Sequence, residues 1–209
     1  MSKHLKPKLS FAVSCYNKSK YIRRCLDSLA ITSYDVSVID DNSTDNSYDI
    51  ISEYAFKHER LDKNHGVSHV RNKQIDECKS DYIIFLDGDD FVVPHQDLTN
   101  LLNGAELYIA PYYFLPGNRK SSILVNEMIS NRRQMSSVIV NIKALKKYDI
   151  RFNEKLKNLE DLEFIHRLFK VTKPIYIDIP YYTYNKNESG KRIRNSTESR
   201  IKLNIILDK

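Results

Sequence analysis

Short apolar segments alternate with segments of helical periodicity along the first ninety residues. Apolar runs at 9–14, 34–39 and 82–86 predict buried strands. Between them, apolar residues recur at helical spacing in three groups: Tyr21, Ile22, Cys25, Leu26 and Leu29; Tyr48, Ile51 and Ala55; Val67, Val70, Ile75 and Cys78. Asn17 or Ser19 is available to cap the first helix. The alternation is typical of βαβ units and predicts an α/β fold with a mostly parallel central sheet covered by helices on both faces.

Each of the three predicted strands ends in a polar cluster. These clusters lie at 14–18, 40–45 and 87–90. Because ligands of such sheets bind beyond the carboxyl ends of the strands, we expect the three clusters to converge on one crevice.

The second half of the chain has a less regular pattern. Apolar segments at 107–110, 138–140 and 175–179 predict strands, and 160–169 has helical spacing, whereas 116–135 is polar and irregular. With 209 residues, the chain is long enough for one domain, in which 1–100 and 101–209 form two halves.

Charge differs between the two halves. Residues 1–100 carry 13 Lys and Arg against 16 Asp and Glu, a net charge of −3, whereas 101–209 carry 20 against 11, a net charge of +9. A basic face can attract nucleic acid, phosphorylated substrates or an anionic membrane surface. It can equally serve only to keep a domain dissolved, so both interpretations stay open.

The composition indicates a globular intracellular protein. Hydrophobic residues make up 41% and charged residues 29%, without an apolar run long enough to span a membrane and without a visible signal peptide. The three cysteines, Cys15, Cys25 and Cys78, form no C-x-x-C pair, which argues against a disulfide framework and a zinc site. We therefore expect a cytoplasmic location.

The acidic cluster at 87–90 is the strongest chemical signal. Asp87, Asp89 and Asp90 repel one another, and a fold tolerates them best around a cation, for which carboxylate oxygens select Mg²⁺ or Mn²⁺. Gly88 allows a tight turn and leaves room for a ligand. A solvated turn is the alternative. An apolar strand that leads directly into the cluster favours the cation site.

Two further carboxylate pairs have two interpretations each. Asp40 and Asp41 follow the second strand, where a carboxylate can accept hydrogen bonds from a nucleobase or ribose. Alternatively, Asp41, Ser43 or Asp45 caps the next helix, and both interpretations can hold because several side chains are present. Glu160 and Asp161 open a predicted helix, where the helix dipole alone favours acidic residues. The position of Glu160 and Asp161 at the start of a helix therefore does not by itself assign them a catalytic role.

Several common catalytic motifs are missing from the sequence. It contains no G-x-x-x-x-G-K-[ST], G-x-G-x-x-G, H-E-x-x-H or G-x-S-x-G motif, which argues against P-loop enzymes, dinucleotide dehydrogenases, zincins and α/β-hydrolases. His65 and His69 are four residues apart but have no third ligand nearby, so we interpret them as surface or cap residues.

Five segments in order along residues 9–170 resemble the family 2 glycosyltransferases, which have the GT-A fold. They are FAVSCYNKSKYI at 11–22, VIDDNSTD at 38–45, NHGVSHVRN at 64–72, DYIIFLDGDD at 81–90, and IRFNEKL followed by EDLEF at 150–156 and 160–164. The last pair resembles the late acidic motif of short bacterial members. Each segment is weak alone, but the ordered set is specific.

The resemblance implies a role for each candidate site residue. Asp41 would bind the uracil or ribose of a donor, with Asp40 beside it, and Asp161 would be the general base. Asp89 would ligate Mn²⁺ or Mg²⁺, and Asp87 would help to hold the donor or the metal. The residues implied to line the nucleotide pocket or approach the diphosphate are Ser14, Tyr16, Lys18 and Arg71.

The implied activity is metal-dependent, inverting transfer of a sugar from a nucleotide-sugar donor, a UDP-sugar, to a hydroxyl group. The acceptor would be a glycan, a lipid-linked molecule or a protein, with peripheral membrane association left open and no nucleic-acid partner. Residues 1–100 would bind the donor and 101–209 the acceptor. Lys186, Lys191, Arg192 or Arg194 could close over the diphosphate, or these residues could equally form a solvated basic tail. Two alternatives are a sugar nucleotidyltransferase and a non-enzymatic module that binds nucleotides or anionic ligands.

Overall fold

A computed structural model describes residues 6–93, 97–115, 119–120 and 134–185. The strands are β1 (Leu9–Cys15), β2 (Asp35–Asp40), β3 (Lys57–Arg60), β4 (Tyr82–Asp87), β5 (Phe91–Val92), β6 (Leu107–Ile109), β7 (Tyr113–Leu115), β8 (Arg119–Lys120), β9 (Val138–Asn141), β10 (Ile175–Tyr176) and β11 (Tyr182–Asn185). The helices are α1 (Ile22–Ala30), α2 (Ser47–Ser52), α3 (Val67–Glu77), α4 (Ile142–Lys147) and α5 (Glu160–Val171). Within these ranges, no helix is long and apolar enough to cross a membrane.

The main sheet has seven strands in the order β10-β6-β9-β4-β1-β2-β3. β1 lies between β4 and β2 and is parallel to both, and β3 extends the parallel part beside β2. β9 is antiparallel to its neighbours β4 and β6. The α/β fold with a mostly parallel sheet is therefore confirmed, and β6, β9 and β10 from the second half extend the sheet of the first half.

A second, four-stranded sheet has the order β5-β11-β7-β8. β5 follows the acidic cluster almost directly, and β11 pairs antiparallel with β5 and parallel with β7. This sheet brings residues 182–185 from the end of the described chain next to the acidic cluster.

Alternate residues of the central strands pack on opposite faces of the main sheet. On β4, Ile84 and Leu86 belong to one buried cluster, whereas Ile83 and Phe85 belong to another. The first cluster includes the buried side of α1: Ile22, Cys25, Leu26 and Leu29. The second includes Phe164, Ile165 and Leu168 of α5. Helices therefore cover both faces, which explains the near-continuous apolar sequence of β1 and β4.

Several local predictions were wrong. The position before α1 is Tyr21, without a side-chain cap, and Asn17 Oδ1 instead accepts a hydrogen bond from the backbone N of Thr44 at 2.8 Å. Ala55 lies beyond the end of α2, and Cys78 lies just past α3 and is only half-buried. β3 was missed because its sequence, KHER, lacks an apolar pattern.

Candidate active site

A cleft of about 690 Å³ lies at the carboxyl ends of β1, β2 and β4. The strand register explains this position, since Ser14 pairs with Asp87 and Cys15 pairs with Asp40. The cleft is lined by Ser14, Cys15, Tyr16, Lys18, Asp41, Asn64, Gly66, Val67, Val70, Asp87, Asp89, Gln134, Lys157, Asn158, Glu160 and Tyr184. The expected convergence of the three polar clusters on one crevice is therefore observed.

Gly88 lets the acidic turn lie directly against β1. Its backbone N donates a hydrogen bond to the carbonyl oxygen of Ser14 at 3.0 Å. A Cβ atom at position 88 would lie 3.2 Å from that oxygen and 3.1 Å from Cδ1 of Ile22. The space predicted for a ligand is thus taken by the packing of the turn against the protein itself.

Asp87 and Asp89 line the cleft, and each carboxylate contacts a different cation. Asp87 Oδ1 accepts a hydrogen bond from Arg71 Nη2 at 2.9 Å, and Asp89 Oδ2 lies 2.5 Å from Lys18 Nζ. Burial, assisted by the charge of Asp87, raises the pKa of Asp89 although Lys18 opposes the shift. Burial lowers the pKa of Lys18, but the pairing with Asp89 outweighs it and the net shift is upward.

Asp90 does not line the cleft, and its carboxylate instead contacts the backbone of β11. Its carboxylate is buried, and Oδ1 accepts a hydrogen bond from the backbone N of Asn185 at 2.9 Å. Burial and the neighbouring charge of Asp87 raise its pKa well above the ordinary value. Asp90 therefore joins the acidic turn to β11, which places Tyr184 at the cleft.

The donor set for a divalent cation comes from the acidic turn. Among the described residues, no three His, Cys, Asp or Glu side chains are grouped so that they alone could hold a metal ion. Asp87 and Asp89 nevertheless present hard oxygen atoms to the cleft, and Asp89 already holds a cationic group, the ammonium of Lys18. These residues fit Mg²⁺ or Mn²⁺ if a bound ligand supplies further oxygen atoms.

Arg71 is a buried connection between the acidic turn and the start of α5. Its guanidinium donates one hydrogen bond from Nη1 to Asp161 and one from Nη2 to Asp87, and Glu160 Oε1 lies 3.9 Å from Nη1. Its Cζ lies 5.2 Å from the ring centre of Phe152. Both Nη atoms contact carboxylates of the protein, whereas the resemblance implied contact with the nucleotide or diphosphate.

Asp161 is the second residue of α5 and contacts Arg71. Burial raises the pKa of its carboxyl to about 7, with Glu160 and Asp87 adding to the effect and Arg71 opposing it. Glu160 lines the cleft beside it. Glu163 instead accepts hydrogen bonds from Arg167, so its carboxylate is engaged within α5. Glu160 is thus the carboxylate of this turn that lines the cleft, whereas Asp161 is connected to the cleft through Arg71, which also contacts Asp87.

Asp41 connects the end of β2 to the start of α3. Oδ1 accepts a hydrogen bond from the backbone N of His65, and Oδ2 accepts one from that of Gly66, both at 2.8 Å. Gly66 has a φ of 91°, which favours glycine. Asp41 lines the cleft and also fixes the loop that enters it.

Asp40 lies behind the cleft. Its carboxylate is fully buried and accepts hydrogen bonds from the backbone N of Ser43 at 2.9 Å and from Ser43 Oγ at 2.5 Å. Of the three candidates for capping α2, Asp45 accepts a hydrogen bond from the backbone N of Ser47, the first residue of that helix, at 3.0 Å, whereas Asp41 contacts the loop before α3. Asp40 thus stabilises the turn, and Asp41 is the member of the pair at the cleft.

Replacement of Asp41 by alanine should affect both stability and binding. Two partly buried backbone N–H groups would lose their acceptor, so we expect the free energy of unfolding to fall by about 1–3 kcal/mol. Nucleotide affinity should also fall, with or without metal. Urea unfolding and calorimetry on the same preparation measure both quantities. The control is Asp62→Ala, which removes an exposed carboxylate from the same loop; equal nucleotide affinity in the two variants would contradict a binding role for Asp41.

Several residues that line the cleft carry no recognisable signal in the sequence. Asn64 and Gly66 fell within a recognised segment without an assigned role, whereas Gln134, Lys157, Asn158 and Tyr184 had no motif to indicate them. His65 and His69, interpreted as surface or cap residues, stack with their ring centres 4.4 Å apart. The predictions for the basic side chains of Lys186, Lys191, Arg192 and Arg194 lie outside the described residues.

Comparison with known proteins identifies the family. The glycosyl transferase family 2 model matches residues 10–171, and the chain therefore belongs to this family. A putative glycosyltransferase of Bacillus subtilis, EpsH, is 37% identical over 95 residues, which are 42% of this chain and 28% of EpsH. The poly(ribitol-phosphate) beta-N-acetylglucosaminyltransferase TarS of Staphylococcus aureus is 28% identical over 207 residues, 87% of this chain and 36% of TarS.

Solved structures confirm the GT-A architecture. TarS residues 1–349 in complex with UDP superimpose with a TM-score of 0.73 at 25% identity, covering 85% of this chain and 60% of that one. The mannosyltransferase PcManGT of Pyrobaculum calidifontis, in complex with GDP-Man and Mn²⁺, gives a TM-score of 0.71 at 14% identity. The superposition covers 90% of this chain and 59% of PcManGT. The chain spans about a third or less of the length of the two curated relatives.

Proposed function

We propose that this chain is a glycosyltransferase that moves a sugar from a UDP-sugar to an acceptor hydroxyl, with inversion and with help from Mn²⁺ or Mg²⁺. One observation carries the proposal: carboxylates from separate strand ends, Asp41, Asp87 and Asp89, line a single cleft beside the start of α5. Asp161 lies at that start and contacts Arg71, which also contacts Asp87.

The donor would lie along the carboxyl ends of β1, β2 and β4. Asp41 would accept hydrogen bonds from the uracil or ribose, while Ser14 and Tyr16 would line the nucleotide side of the cleft. Asp89 and Asp87 would hold the divalent cation, which when bound offsets the negative charge that develops on the diphosphate leaving group. Lys18, whose ammonium contacts Asp89, would add a second positive charge.

Asp161 would act as the general base. The acceptor hydroxyl attacks the anomeric carbon from the face opposite the nucleotide, the bond from that carbon to the diphosphate oxygen breaks, and the hydroxyl proton passes to the carboxylate. One such displacement inverts the anomeric centre. A pKa of about 7 suits this transfer, because it lies close to an ordinary working pH.

The family match favours a transferase over the two alternatives. A nucleotidyltransferase would need a nucleoside triphosphate and release pyrophosphate, and a binding module would have no use for the acidic cluster at 87–90. UDP and cell-surface glycan synthesis are proposed because TarS binds UDP and its name describes transfer to poly(ribitol-phosphate). The basic half, with Lys157 at the cleft, would then face the acceptor.

Donor binding and turnover test the proposal through Asp89→Asn. Calorimetry with UDP-sugars and GDP-sugars, with and without Mn²⁺, should show metal-dependent binding of a UDP-sugar, and release of UDP should follow the addition of metal. Asp89→Asn should weaken UDP binding in Mn²⁺ by about tenfold or more and abolish turnover, because a cation ligand is lost. The matched control Asp49→Asn changes an exposed carboxylate on α2 and should keep native values. Native turnover in Asp89→Asn would remove that residue from the metal site.

A further inference from the structure

We propose that the ammonium of Lys18 serves as a built-in counterion of Asp89 that must leave before a divalent cation can be bound, so that the cation and the nucleotide diphosphate bind cooperatively. The inference rests on the proposed function, since it concerns the same cleft. It assigns to Lys18 a role that differs from simply lining the nucleotide pocket.

The contact between Lys18 and Asp89 is short and shielded. Nζ lies 2.5 Å from Oδ2, and the side chains are 25% and 9% exposed, so water screens the pair only weakly. Among the described residues, Arg24 contacts only the backbone oxygen of Asp89, and Arg71 contacts Asp87. Within those ranges, Lys18 is therefore the side chain that is paired with the carboxylate of Asp89.

The backbone of Lys18 is fixed by hydrogen bonds, whereas its side chain borders the cleft. Its N donates a hydrogen bond to Ser47 Oγ at 2.7 Å, and its carbonyl oxygen accepts bonds from the N atoms of Tyr21 and Ile22 at 2.8 and 2.9 Å. Both Lys18 and Asp89 line the cleft. Rotation of the side chain can thus move the ammonium from Asp89 into the cleft without disturbing β1 or α1.

Charge balance links this movement to the nucleotide. A divalent cation on Asp89 repels an ammonium on the same carboxylate, and moving Lys18 away without a new partner leaves a partly buried positive charge unpaired. A diphosphate supplies that partner, since its oxygen atoms can accept the ammonium that has left Asp89. Binding of cation and diphosphate should therefore be cooperative, and by linkage each should raise the affinity for the other equally.

Direct measurement of metal binding tests the inference through Lys18→Met, which keeps the length of the side chain and removes its charge. Free Mn²⁺ is measured by electron paramagnetic resonance with and without UDP. The native protein should bind Mn²⁺ weakly alone and about tenfold or more tighter with UDP, within the usual range of coupling between sites. Lys18→Met should bind Mn²⁺ about tenfold tighter without UDP, and UDP should then raise its affinity much less.

Two controls make the result decisive. Lys20→Met removes an exposed charge two residues away and should behave as native, and Lys18→Gln replaces the methionine variant if that variant does not fold. Unchanged or weaker Mn²⁺ binding by a folded Lys18 variant without UDP overturns the inference, even if the native protein turns over a UDP-sugar. Failure of the proposed function has a different signature: no nucleotide is bound, while Lys18→Met still binds Mn²⁺ more tightly than the native protein.

Discussion

The Asp161→Asn variant should fold and bind the donor as the native protein does, yet transfer sugar about 10²–10⁴ times more slowly, which is the usual contribution of a general base. Asparagine keeps the shape of the side chain and can still accept a hydrogen bond from Arg71, but it cannot take the proton of the acceptor. The rate of a single turnover, measured with saturating donor and acceptor, isolates this step from binding.

The pH dependence gives a second test of Asp161. Because burial raises its pKa to about 7, the native rate should fall on the acid side of about pH 7, where the carboxyl is protonated. The free energy of unfolding should depend on pH in the opposite sense. Between about pH 3.9, the ordinary pKa of an aspartate, and about pH 7, the folded protein holds a proton on Asp161 that the unfolded chain has released. The stabilisation that comes from this proton is therefore complete below about pH 3.9 and is lost as the pH rises through about 7. The asparagine variant should lose both dependences.

Glu160→Gln is the matched control for Asp161→Asn, because Glu160 belongs to the same turn and lines the cleft. It should keep most of the native single-turnover rate. If Glu160→Gln loses the rate while Asp161→Asn keeps it, Glu160 is the base. If Asp161→Asn unfolds more easily but turns over normally per folded molecule, Asp161 has only a structural role at the start of α5.

The parts of the site that lie directly after the buried parallel strands could be predicted from the sequence. Buried parallel strands have a strong apolar signal, and the residues that follow them must meet at one edge of the sheet. The pairing of Ser14 with Asp87 brings the first and third polar clusters together in the expected way. For the same reason Lys18 and Asp89, 71 residues apart in the chain, lie in contact at that edge.

Other parts of the site depend on tertiary packing, which no local pattern encodes. Arg71 lies on α3, where the sequence shows only a basic residue near the start of a helix, yet the fold buries it between carboxylates 16 and 90 residues away. Tyr184 reaches the cleft because β11 pairs with β5 and Asp90 holds the backbone of Asn185. Such contacts follow from the second sheet, whose short strands carry little periodicity.

Replacement of Arg71 by methionine should be strongly destabilising. The change leaves the carboxylates of Asp87 and Asp161 without their shared cation, and breaking a buried ion pair from one side costs about 3–5 kcal/mol. Arg71→Lys should recover only part of this loss, because a lysine cannot present two hydrogen bonds in the fixed geometry of a guanidinium. Arg23→Met is the control, since Arg23 pairs with Glu53 at the exposed surface and should matter little.

A double variant separates the electrostatic role of Arg71 from its packing. Arg71→Met leaves the carboxylates of Asp87 and Asp161 unpaired, and adding Asp161→Asn replaces one of them by a neutral amide. The loss of free energy of unfolding in the double variant should therefore be smaller than the sum of the two single losses. Where Arg71→Met still folds, the acid limb of its rate profile should move to higher pH, because Arg71 opposes the raised pKa of Asp161. Chemical unfolding of the four proteins at one pH, followed by rate profiles of the folded ones, measures both effects. Additive losses with an unmoved acid limb would mean that Arg71 only fills space, and that Asp87 and Asp161 are not coupled through it.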